Sequence, residues 1–89
     1  MSTILVKPEE VEQTSSQFAA KHSDLQQLIQ FARNQVSALQ GSFQGNRATK
    51  FYGEWDSMQP GLEEALASLQ RASELLKAAA AAFRQADLQ

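Results

Sequence analysis

From Val11 onward, apolar positions return at every third or fourth residue. Val11, Phe18, Leu25, Ala32 and Leu39 are spaced by seven, and Ser15, His22, Ile29, Val36 and Phe43 follow four residues after each. Successive residues of an α-helix turn by about 100°, so the two sets share one face. Leu28 and Phe31 lie beside that face and widen it in the middle. Pro8 suits a first helical position, where its missing N–H is not needed. Glu9 and Glu10 put negative charge against the positive end of the helix dipole, and Val6 and Val11 have the spacing of a hydrophobic staple. Nothing breaks the run before Gly41, a natural stop. A first helix is predicted over about residues 8–40.

A second periodic stretch follows. Ala48, Trp55, Leu62, Leu69, Leu76 and Phe83 recur by sevens, and Phe51, Met58, Ala65, Ala72, Ala79 and Ala86 fall three residues after each. The pattern predicts a helix over about residues 47–87, with Asn46 as its N-cap and these two rows as its apolar face. Towards the end large and small residues alternate, which lets a neighbouring helix approach closely. Pro60 and Gly61 oppose the pattern, since an interior proline removes a hydrogen bond and costs about 3 kcal/mol. The sevenfold spacing keeps phase across them, so a kinked but continuous helix is expected, with two separate helices broken at Pro60 as the alternative. Helices of these lengths would run roughly 50–60 Å.

A connection over about residues 41–46 is short enough to make the two helices antiparallel neighbours in one domain, residues 1–89. Two helices cannot cover so wide a stripe, and each exposed Leu or Phe forgoes roughly 1.5–3 kcal/mol of burial. The expected fold is therefore all-α: an antiparallel helical hairpin that dimerises into a four-helix bundle. Its hairpin and dimer core is expected to hold Val11, Phe18, Leu25, Leu28, Ile29, Val36 and Leu39 from the first helix, with Phe51, Trp55, Met58, Leu62, Leu69 and Leu76 from the second. Phe43 stands out, a large ring in a turn that water should reach. It either caps the end of the bundle or offers a surface to a partner.

Composition narrows the chemistry. The chain has 89 residues and no cysteine, which removes disulfides and thiolate metal sites as stabilising devices and leaves oligomerisation. A net charge of −2 with both signs interspersed is unlike a nucleic-acid footprint. His22, Ser23 and Asp24 have the residue types of a catalytic triad, but neighbours on a helix point away from one another. Glutamates 9, 10, 12, 63 and 64 are scattered, and Gly41 and Gly45 lack the spacing of a phosphate loop. No enzyme activity, metal, cofactor or small-molecule substrate is expected. Arg47 and Lys50 place positive charge where the dipole of the second helix disfavours it, which reads as solvated surface or as a basic spot for an acidic partner. The opening "MSTILVKPEE" lacks the blocks of a cleaved signal peptide, so any export is expected without one.

Nearly the whole chain resembles the WXG family, the small early-secretory-antigen-like proteins of bacterial type VII secretion. The resemblance rests on length, on the start at "KPEEV", on the two helices, and on aromatic–x–Gly in the turn with a further aromatic eight residues on. Here these are Phe43, Gln44 and Gly45, then Phe51, with Phe in place of the family's usual Trp. The family's C-terminal signal, Tyr followed four residues later by an acid, is matched by Phe83 and Asp87 of "FRQAD". The resemblance implies a virulence-associated secreted protein, exported as a folded homodimer or as a heterodimer with a related family member. It further implies recognition by a secretion-system ATPase at Phe43, Gly45, Phe83 and Asp87. The alternative class is a cytosolic helical adaptor that is never exported.

Overall fold

The computed structural model describes residues 5–87, which form two antiparallel helices, α1 (Pro8–Leu39) and α2 (Asn46–Asp87), in a rod of 66 × 24 × 15 Å. Helix α1 starts where Lys7 leaves an extended conformation and its carbonyl accepts the N–H groups of Glu10 (3.0 Å) and Val11 (3.1 Å). Helix α2 runs unbroken through Pro60. Its start differs from expectation. Asn46 is already helical, and the preceding carbonyl of Gly45 accepts the Thr49 N–H at 2.9 Å, so Gly45 rather than Asn46 occupies the cap position. The reason lies in the backbone. Gly45 has φ +113°, open to glycine at little cost, and this conformation turns the chain into the helix without help from a side chain.

The α1 rows from Val11 to Val36 face α2. Ile29 and Ser15 are buried there, and Val11, Phe18, Leu25 and Val36 are half-buried. On α2 the row at Ala48, Trp55, Leu62, Leu69 and Leu76 faces α1, with Ala48 buried and the others half-buried. The second α2 row in the hairpin is not the expected one. Tyr52, Gln59, Leu66, Ser73 and Ala80, four residues on rather than three, line the contact, while Phe51 and Met58 stay outside it.

Polar partners explain the difference. Ser15 Oγ donates to the Ser73 carbonyl at 2.7 Å, and Ser73 Oγ donates back to the Ser15 carbonyl at 2.8 Å. Arg33 Nε donates to Gln59 Oε1 at 2.7 Å, and its Nη2 reaches Glu63 Oε1 at 2.8 Å. A buried polar group costs little once it is hydrogen-bonded, so Gln59 and Ser73 can enter a seam that counting apolar residues assigns elsewhere. At the open end Arg84 pairs with Glu12 and, at 3.9 Å, with Glu9, joining the last turns of α2 to the first of α1.

Candidate functional site

Two features are candidates: the apolar flank that the hairpin leaves bare, and the turn. On the flank Leu28 is 63% exposed, Phe31 61% and Met58 54%, with Phe51 and Leu39 less so. Helix geometry places the α1 and α2 members together. Taking the hairpin contact as the reference direction, Leu28 lies roughly 60–100° and Phe31 roughly 130–160° to one side of it on α1, and Arg33 lies on the other. On α2, Met58, Ala65 and Ala72 lie roughly 40–80° to one side, and Gln59 and Glu63 on the other. Arg33 bonds to Gln59 and Glu63, so those two flanks coincide. The apolar flanks therefore coincide as well, on the opposite broad face of the rod.

The turn is built by backbone bonds and an aromatic cluster. The Leu39 carbonyl accepts the N–H groups of Ser42 (2.9 Å) and Phe43 (2.8 Å) as α1 ends. The half-buried Phe43 ring then meets Phe51 at 6.3 Å between centroids and Tyr52 edge-on at 6.0 Å; Phe51 and Tyr52 lie 5.5 Å apart. Tyr52 Oη donates to the Phe43 carbonyl at 2.9 Å. Phe43 is thus pinned on one side and open on the other. Tyr52 is the residue the sequence reading passed over. The run of Phe51 and Tyr52 next to each other was the available signal, since adjacent aromatics on a helix must serve different faces.

Removing the hydroxyl alone tests that pin. Tyr52→Phe is expected to cost about 0.5–1.5 kcal/mol, the usual net worth of one hydrogen bond, and to speed amide exchange in the turn before other regions. A melting point and turn exchange equal to wild type would show the bond to be idle.

At the far end, Phe83 is half-buried beside Arg84, and Asp87 closes α2 with its side chain outside the described residues. Arg47 and Lys50 are both exposed near the turn. His22 is half-buried on the α1 seam, while Ser23 and Asp24 face water. Among the described residues no group of His, Cys, Asp or Glu is placed to hold a metal ion, and no helix is long and apolar enough to cross a membrane.

The family model described as WXG100, proteins of 100 residues with WXG, matches residues 3–88. The chain belongs to the WXG100 family. Solved structures with the same hairpin include the secreted protein EsxB of Bacillus anthracis str. Sterne, at 28% identity and TM-score 0.83 over 98% of this chain and 99% of that one. Its P67A mutant gives 28% identity and TM-score 0.85 over 96% of each chain. EsxA of Geobacillus thermodenitrificans shares the fold, with TM-score 0.86 and 23% identity over 93% of this chain and 92% of its own. No curated protein matches this WXG100 chain. In the turn of this WXG100 chain the sequence reads Phe43, Gln44, Gly45, an aromatic–x–Gly tripeptide.

Proposed function

We propose that this WXG100 protein is a secreted substrate of a type VII export system, carried out of the cell as a folded dimer and acting through protein–protein contacts. The observation that carries the reading is the bare apolar face at Leu28, Phe31 and Met58, which a lone hairpin leaves to water. The mate on that face is a second copy or a related family member. Secretion is supported by the likeness to EsxB, a secreted protein, over almost the full length of both chains. In this reading Phe43 and Gly45 form the turn motif, and Phe83 and Asp87 the C-terminal signal, for a secretion ATPase. No bond is made or broken.

Export from a host carrying the secretion ATPase, compared with the same host lacking it, tests the proposal. Wild-type chain should reach the culture medium only when the ATPase is present. Asp87→Ala should fall at least tenfold in the medium while its melting point holds or rises slightly, because an acid at a helix C-terminus opposes the dipole. Phe43→Ala should likewise stay dimeric yet fail to leave. Accumulation inside the cell with or without the ATPase would instead mark a cytosolic adaptor.

A further inference from the structure

Helix α2 overruns the start of α1. Ser15 and Ser73 bond to each other across the seam, so they stand level. Pro8, the first helical residue of α1 and seven before Ser15, is then level with Ala80, seven beyond Ser73. Ala80 is buried and closes the packed part of the hairpin. Helix α2 continues past it to Asp87, about 10 Å farther. The last turn of a helix carries carbonyls with no intrahelical donor, and it frays unless something holds it. Asp87 does not help, because an acid at a helix C-terminus opposes the dipole.

Arg84 supplies the hold. It sits in the overhang, and its guanidinium reaches back along the rod to two carboxylates of α1. Nη1 pairs with Glu12, and Nη2 with Glu9 at 3.9 Å. The planar fork of arginine offers separate N–H groups to two acceptors at once, which the compact ammonium of lysine does less well. Next to Arg84, Phe83 continues the row of α2 that faces α1 and is half-buried. Residue 87 follows one turn later and shares a side of α2 with Phe83 only while residues 83–87 stay helical. Helical geometry separates the two by about 6 Å along the axis, whereas an extended chain would separate them by about 13 Å.

We propose that Arg84 is a positioning residue for the export signal. By strapping the overhang to Glu9 and Glu12, it keeps residues 83–87 helical and so presents Phe83 and Asp87 together to the secretion ATPase. This inference rests on the signal reading above and adds a residue that acts through the shape of the segment. The strap lies on the Arg33 side of the rod by helix geometry, away from Leu28, Phe31 and Met58, so altering it leaves the bare apolar face intact. Its members are partly exposed, and an exposed pair shifts a local equilibrium by a factor of about 1.5–5.

A charge-reversal cycle tests the proposal. It is read on the purified chain by amide exchange and in the exporting host by the amount of chain in the medium. Glu9→Lys with Glu12→Lys turns attraction into repulsion without touching the signal segment. That variant should speed exchange at residues 81–87 about threefold or more and leave exchange around Ser15 and Ser73 unchanged. Export should fall by a comparable factor, because only the helical fraction is recognised. Arg84→Glu alone should behave in the same way. All three changes together restore pairing with the signs exchanged, and both readouts should return to within about twofold of wild type.

Wild-type exchange at residues 81–87 in the chain carrying the two lysine substitutions would show the strap to be idle and overturn the proposal. Fast exchange with full export would overturn it as well, since order in the segment would then not matter. Slow exchange in the triple variant without recovery of export would make Arg84 a direct contact instead of a positioning residue. Export of Asp87→Ala at the wild-type level would remove the signal reading itself, and with it the role of the strap, even where exchange follows the cycle.

Discussion

Met58→Asp should dissociate the proposed dimer at micromolar concentration, with the largest effect of any single change on the bare face. Met58 is more than half exposed in the lone hairpin, so the substitution has little to disrupt within one chain. In a self-paired form of the proposed dimer it acts twice. Each copy loses roughly 1.5–3 kcal/mol of apolar burial and gains a carboxylate that must be stripped of water without a counter-charge. A combined loss of about 4 kcal/mol or more weakens association by roughly a thousandfold. Gln27→Asp, on the exposed back of α1, adds the same charge and should leave the mass unchanged. Sedimentation equilibrium on both variants reads the outcome; equal masses would remove the apolar face as the docking surface.

Pro60→Ala should stabilise the protein more than any other single exposed substitution. Proline inside a helix lacks an N–H to donate, and its ring crowds the carbonyl four residues back, a penalty of about 3 kcal/mol. Helix α2 is nevertheless continuous there, and Pro60 is exposed, so alanine removes no packing. Part of the gain is offset because proline also restricts the unfolded chain, by about 0.4–1 kcal/mol. A net gain of about 2 kcal/mol corresponds to a melting temperature higher by on the order of 10 °C for a chain of this size. Thermal unfolding at fixed protein concentration measures it, the concentration being held because dimerisation also shifts the melting point. An unchanged or lower value would mean that Pro60 stabilises α2 through a contact outside the single chain.

The turn shows how far residue types alone could go. Gly45 was legible as a turn residue, and its positive φ is what glycine permits best. Phe43 was legible as an anomaly, without its environment. The environment depends on Tyr52, whose hydroxyl closes a bond to the Phe43 carbonyl across nine positions of chain. A bond of that kind follows from how the turn is folded, and no local spacing rule announces it. The ion pairs of Arg84 with Glu9 and Glu12 are of the same sort, joining residues at opposite ends of the sequence.

The sequence by itself determined two long helices, their antiparallel pairing and the face of α1 that meets α2. Those features depend on short-range quantities: helical periodicity, a proline at the first position, and a connection too short for any other arrangement. Only the tertiary structure decided which of two rows on α2 completes the hairpin. Rows three and four residues beyond Ala48, Trp55 and Leu62 flank the same helix almost symmetrically, and the row three residues on is the more apolar by composition. The less apolar row faces α1 because Gln59 and Ser73 find hydrogen-bond partners on α1 and Tyr52 finds one in the turn. Phe51 and Met58 are thereby left on the outside, and the hairpin acquires the face that a partner would cover.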